Sequence, residues 1–233
     1  MKPMVYTKQN VLAFHDNRKF QTRRIINPQP EYEESQNMYW WKGDWDTRGG
    51  PRAGVCTHGS PGNGEPTWTL KEIAEHGRYQ VGDTCYVAEG YKLECLALTH
   101  HLQTGNITTR VFGNYLADDQ EFEIVLSEKE SALVNARKFP YRATSGRFMY
   151  KSLARIFFEI TEVRVEWLPD IAPKDCIAEG IVLVGDELVF NNRKQKDSLR
   201  ITKFYRLWKS IHGPDSWNRW VFVYGWKEIR IGE

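Results

Sequence analysis

Between Asn17 and Arg24 the chain reads N-R-K-F-Q-T-R-R, the stretch whose residue types come closest to a chemical site. Arg18, Lys19, Arg23 and Arg24 crowd into it without an acid, so the segment repels itself unless water or an anion answers it. That is the composition of either a solvated surface or a surface waiting for an anion. Thr22 adds a hydroxyl three residues after Lys19. In a turn or helical coil these two side chains face the same way; in an extended strand they face opposite ways. Local geometry therefore decides whether they can work together.

Two further segments carry cations with almost no acid. From Ser131 to Phe158 there are Arg137, Lys138, Arg142, Arg147, Lys151 and Arg155 with no Asp or Glu. From Phe190 to Lys209 there are seven Lys or Arg against the single Asp197. The net charge is only +2, so the signs are segregated rather than unbalanced. Segregation of this kind gives either a basic face that tracks a nucleic-acid backbone or a set of solvated helix and loop surfaces. Cys56, Cys85, Cys95 and Cys176 include no C-x-x-C pair, and His100-His101 has no partner at ligand spacing, so neither a disulfide framework nor a metal site is expected. No cofactor is expected either. No apolar run is long enough to span a membrane and the N-terminus has no signal-peptide core, which predicts a cytoplasmic protein without membrane contact.

The elements that must position these residues can be read in order. Met4–Tyr6 reads as a strand, and Thr7 can cap a helix running to about Asp16, with Asn17 as a left-handed C′ residue. The basic cluster would leave that helix in a turn, with Lys19 and Thr22 on one face. Residues 31–78 shift to Gly, Trp and polar residues with little periodicity, which predicts a long irregular insertion. Its Trp40 and Trp41 either plug it onto the body or stack on bases. Thr84–Ala88 alternates as a strand, closed by Glu89 before Gly90, and Glu121–Leu126 alternates again. Ala154–Trp167 reads as the strongest strand, with a parity switch at Thr161-Glu162 that predicts a bulge. A short helix follows from Pro173 to Gly180, then a hairpin at Gly185-Asp186 and a helix capped by Ser198 and stopped by Gly213-Pro214. Trp220–Lys227 is apolar on both faces and reads as a central strand. The pattern predicts a single α+β domain over residues 1–233, a small mixed barrel with peripheral helices.

These pieces, in this order, resemble the ASCH-domain proteins of the PUA-like superfamily, in the version found in phages and prophages. The resemblance rests on Arg18-Lys19 with Thr22-Arg23-Arg24, on Pro28-Gln29-Pro30, and on Val81-Gly82-Asp83 through to Glu89. Met149–Arg155, Asp170–Gly180 and Phe204–Lys227 complete it. It implies a PUA-like barrel whose cleft is lined by the first helix-to-loop segment and a strand carboxylate. The ligand it implies is RNA, single-stranded nucleic acid or a modified nucleoside. One bacterial branch hydrolyses acetylcytidine with a Lys, a Thr three residues later and a Glu after a Gly-Asp turn. By position those are Lys19, Thr22 and Glu89. The chain departs from the family at Asn17, where a Gly is usual, and at Ala88, where phage relatives often carry Arg. It departs again at Gly90-Tyr91, which stands where they have Thr-Trp.

Three functions follow from the same residues. In a binding domain, Arg18, Arg23, Arg24, Arg147, Lys151 and Arg155 hold phosphate, Glu89 accepts from a base amino group, and Tyr91, Trp40 or Trp41 stacks on the base. In an amidohydrolase, Thr22 or a water attacks an acyl carbonyl while Lys19 and Glu89 move protons, which requires the Lys19 pKa to fall. In an accessory protein, the Trp-rich insertion captures a protein partner.

Overall fold

The computed structural model describes residues 1–27, 29–33, 38–42, 52–56, 70–100, 107–136, 142–184, 193–227 and 229–231. In chain order the first elements are β1 (Lys2–Val5), α1 (Lys8–His15), β2 (Gln21–Ile25), β3 (Glu31–Glu33), β4 (Met38–Lys42), β5 (Arg52–Cys56) and α2 (Leu70–Ala74). Next come β6 (Thr84–Ala88), β7 (Tyr91–His100), β8 (Ile107–Tyr115), β9 (Glu121–Val125), α3 (Glu128–Ala136) and β10 (Ala143–Thr144). The last are β11 (Ile156–Glu159), β12 (Glu162–Trp167), α4 (Pro173–Ala178), α5 (Arg193–His212), β13 (Trp220–Gly225) and β14 (Ile229–Ile231). The chain is α+β. Its described strands form four separate sheets, none closed into a barrel. No described helix is long and apolar enough to cross a membrane.

Contacts divide the chain into two compact units. The first takes Met1–Asn17, Asp83–Glu159 and the last strand. It holds the sheet β1-β6-β11-β14, with β1 parallel to β6, and the antiparallel sheet β10-β7-β8-β9. Its core is built on Tyr86, Leu93, Val111, Tyr115, Met149 and Leu153. α1 follows Thr7, ends at His15 as its spacing predicts, and Asn17 has φ +53°. An Asn accepts that left-handed geometry more readily than most residues. α3 begins with a capping box: Glu130 accepts from the Ser127 amide at 3.2 Å and from the Ser127 hydroxyl at 2.6 Å. Ser152 also donates to Glu130 through both its amide and its hydroxyl.

The second unit takes Arg18–Gly82 and Ile160–Lys227. It holds the sheet β12-β13-β2 and the sheet β3-β4-β5. β13 lies between β12 and β2, antiparallel to both, and every one of its residues is buried. Its alternating aromatic and β-branched residues suit a strand that packs on two faces. Phe204 and Trp208 of α5 pack with Leu168, Cys176, Val221 and Val223.

Several expectations are corrected here. The parity switch after Phe158 is a change of sheet, not a bulge within one strand: β11 pairs with β6 and β14, whereas β12 pairs with β13. Ser198 lies inside α5, which starts at Arg193. The 31–78 segment contains β3, β4, β5 and α2. Its lack of periodicity reflects short strands that pair chiefly with one another. The Gly185-Asp186 hairpin falls outside the described residues.

Candidate functional site

The cationic segment after Asn17 is extended, not turned. Lys19 forms an antiparallel bridge with Glu179, the Phe20 amide donates to the Ala178 carbonyl at 2.8 Å, and the Trp226 amide donates to the Phe20 carbonyl at 3.0 Å. These bonds draw the segment into β structure directly after Asn17. Alternation then puts Lys19, Gln21 and Arg23 on one side and Thr22 and Arg24 on the other. The expected shared face of Lys19 and Thr22 is therefore corrected.

The Lys19 side is a buried ionic network. Lys19 Nζ donates to Glu179 Oε2 at 2.7 Å and to the Glu179 carbonyl at 3.1 Å. Arg23 donates to Glu179 Oε1 at 3.0 Å and to Glu166, and lies 3.5 Å from Asp175. Oriented by its partners, the Gln21 amide accepts from Arg23 at 2.9 Å and from Arg164 at 3.0 Å. Arg164 in turn reaches Glu162, Glu166 and Asp175. Burial lowers the Lys19 pKa, and Glu179 opposes that shift. Burial pushes the neighbouring Cys176 thiol up to about 12. A guanidinium with three carboxylates around it and none of its side chain exposed is not available to a phosphate. The expectation that Arg23 holds phosphate is corrected on these grounds. Arg18 is also engaged, donating to the Gly180 carbonyl at 2.9 Å. Arg24 stays half-buried on the other side, with Thr22 buried beside it.

Glu89 is the corresponding anchor of the first unit. It is 1% exposed and receives a two-pronged Arg155 fork, Nε to Oε1 and Nη2 to Oε2, both at 2.8 Å. Arg155 also forks onto Asp118, at 2.9 and 3.0 Å, donates to Gln120, and stacks 3.9 Å from the Tyr115 ring centroid. The pairing raises the Arg155 pKa despite burial, and burial moves the Tyr115 phenol up to about 12. Bidentate pairs of this kind are strong and geometrically exacting. Arg155 is thus a buried structural cation, which corrects its assignment to phosphate. Lys19 has Glu179 as its carboxylate, and Glu89 has Arg155 as its cation.

The first unit also carries a ridge that sequence reasoning only half found. Residues 145–153 run through two tight 3-10 turns, Gly146–Phe148 and Lys151–Leu153. Arg147, Phe148 and Lys151 are exposed, Phe148 by 61%. No ion pair or side-chain hydrogen bond occupies Arg147 or Lys151 among the described residues. The ridge is held from beneath. A Cβ on Gly146 would sit 2.3 Å from the Ala88 carbonyl oxygen, so glycine alone allows this approach. The Tyr91 hydroxyl donates to the Phe148 carbonyl at 3.2 Å, the Tyr115 hydroxyl to the Leu153 carbonyl at 2.7 Å, and Glu130 receives Ser152. Tyr91 is 2% exposed, which corrects its role from base stacking to support of the ridge. The exposed aromatic is Phe148. Its signal in the sequence was an apolar residue between Arg147 and Lys151, in a segment whose other large apolar residues point inward.

Comparison with family models, curated proteins and solved structures found no match. Trp40 and Trp41 lie in β4, opposite Glu31 and Gly54 for Trp40 and Ala53 for Trp41; their side chains are outside the described residues. Among the described residues no cluster of three His, Cys, Asp or Glu could hold a metal ion.

The acids that brace the ridge set an acid limit. Burial opposes ionisation of Asp118 and Glu130, yet hydrogen bonds from Arg155 to the first, and from Ser127 and Ser152 to the second, hold both pKa values below their ordinary values of 3.8 and 4.5. Folded carboxyls that titrate below their unfolded values stabilise fully above the unfolded pKa and lose that contribution as pH falls through the folded one. Urea midpoints should therefore fall as pH drops below about 4.5, and the fall should shrink in Glu130→Gln. An unchanged acid slope in that variant would remove Glu130 from the linkage.

Proposed function

We propose that the chain is an ASCH-type, PUA-like domain that binds single-stranded nucleic acid or a modified nucleoside, with the Arg147-Phe148-Lys151 ridge as its contact surface. The observation that carries this reading is Phe148. An apolar ring exposed between two unengaged cations, on backbone fastened by Gly146, Tyr91 and Tyr115, is costly to keep in water and suited to a base face. Aromatic stacking serves any base, and flanking cations follow the backbone, which is how sequence-tolerant single-strand binding works. The order of the family's pieces along the chain supports the family assignment.

The test is anisotropy of a labelled mixed-sequence RNA or DNA oligonucleotide at low salt. Phe148→Ala should weaken binding by about 1–3 kcal/mol, the worth of one stacked base. Arg147→Ala and Lys151→Ala should weaken it uniformly across sequences and each flatten the salt dependence by about 0.7 in log–log slope. Arg18→Ala, in contrast, should leave that slope unchanged. No binding by the wild type, or binding indifferent to all three ridge substitutions, would sink the reading.

A further inference from the structure

The second unit contains a cleft of about 370 Å³, formed where β2 ends, where α5 ends and where the chain turns through Gly213–Ser216. That volume lies within the range of small-molecule sites. Its apolar surfaces are Ile25, Ile26 and Pro214, and His212 adds an aromatic face. The His212 ring centroid is 4.2 Å from that of Trp208; burial first and the Arg24 charge second lower its pKa, which favours the neutral imidazole.

The scaffold of the cleft satisfies its own polar groups. The Gln29 amide receives the Trp220 N–H at 2.7 Å and donates to the Trp220 carbonyl at 2.9 Å. Ser216 Oγ closes onto the Gly213 carbonyl at 2.6 Å, and the Ser216 carbonyl accepts from Trp208 Nε1 at 3.0 Å. Three lining side chains remain unengaged: Asn27, Asp215 and Arg219 have no hydrogen bond or ion pair among the described residues. Asp215 only accepts, Arg219 only donates, and Asn27 does both.

The three together suit a ligand that carries both a hydrogen-bond donor and an anionic group. A simple anion would suit Arg219 but face the Asp215 carboxylate, and a simple amine would suit Asp215 but face Arg219. A planar heterocycle with an exocyclic amine and a phosphate answers both, with its ring against the Ile25, Pro214 and His212 surfaces. Carboxylates accept from the amino group of cytosine, and arginine forks onto phosphate. We propose that this cleft binds a single nucleotide with an amino-bearing base, Asp215 and Asn27 reading the base edge and Arg219 holding the phosphate. The site is separate in residues from the ridge, and it stands or falls without it.

The experiment titrates the full chain with cytidine monophosphate, uridine monophosphate, cytidine and inorganic phosphate by ligand-observed NMR, at one salt concentration. Wild type should bind cytidine monophosphate about fivefold or more tightly than each of the other three. Arg219→Ala should erase its advantage over cytidine, and Asp215→Asn its advantage over uridine monophosphate. Both residues are exposed, and thermal melts should confirm that the variants fold. Equal binding of the four probes by wild type, or unaltered selectivity in both variants, would overturn the proposal. The ridge reading is judged separately, by oligonucleotide binding in Phe148→Ala.

Discussion

Arg23→Ala should lower the unfolding free energy by about 3–5 kcal/mol, the cost of leaving buried charges without their partner. The side chain is wholly buried, and its removal strands Glu166, Asp175 and Glu179 with Lys19 and Arg164 as the remaining cations. Against a typical domain stability of about 5–15 kcal/mol this is a large loss. Urea denaturation of the wild type and the variant measures it. Arg23→Lys should restore little, because one ammonium cannot span three carboxylates as a planar fork does. A loss below about 1 kcal/mol would mean that the network contributes no more than a surface pair. Oligonucleotide affinity measured on the remaining folded protein separates this role from phosphate binding. A phosphate contact would show as weaker, less salt-dependent binding with stability intact.

Much of the scaffold was legible because it depends on local signals. Thr7, Asn17, Gly82, Pro173, Gly180 and Gly213 mark boundaries through backbone preference alone, and the positive φ of Asn17 and of each of these glycines is found where those signals place it. The two apolar faces of Trp220–Gly225 identified the central strand for the same reason. The site was less legible because its decisive facts are long-range. Nothing near Lys19 in sequence announces Glu179, some 160 residues away, and nothing near Glu89 announces Arg155. A cationic run in sequence shows charge but not who neutralises it, so Arg18 and Arg23 read as surface while both are engaged. Arg147 and Lys151 are exposed whereas Arg155, in the same acid-free segment, is buried against Glu89, so the run alone does not tell them apart. Tyr91 reads as a stacking ring and Phe148 is passed over because aromatic type is local whereas burial belongs to the packed unit.

Glu89→Ala should be the most damaging change in the first unit, again by about 3–5 kcal/mol, since it leaves the buried Arg155 guanidinium with Asp118 and Gln120 alone. Glu89→Gln keeps the volume and one acceptor and should cost less. The pair of variants separates two accounts of this carboxylate. As a structural anchor, Glu89 fixes Arg155 over Tyr115, and Tyr115 holds the Leu153 carbonyl at the end of the ridge. Glu89→Gln should then loosen the ridge and weaken oligonucleotide binding, with the wild type releasing no cytidine from acetylcytidine. As a proton carrier, Glu89 would give a wild type that releases cytidine and a folded Glu89→Gln that does not, with Lys19→Ala failing in the same way. Burial lowers the Lys19 pKa, the direction that second account needs, while the ion pair with Glu179 opposes it. Against it stand the two-pronged pairing of Glu89 with Arg155 and the opposite facing of Thr22 and Lys19 in extended backbone. Both Glu89 oxygens are already taken up by the Arg155 fork, so the anchor is the outcome the geometry favours.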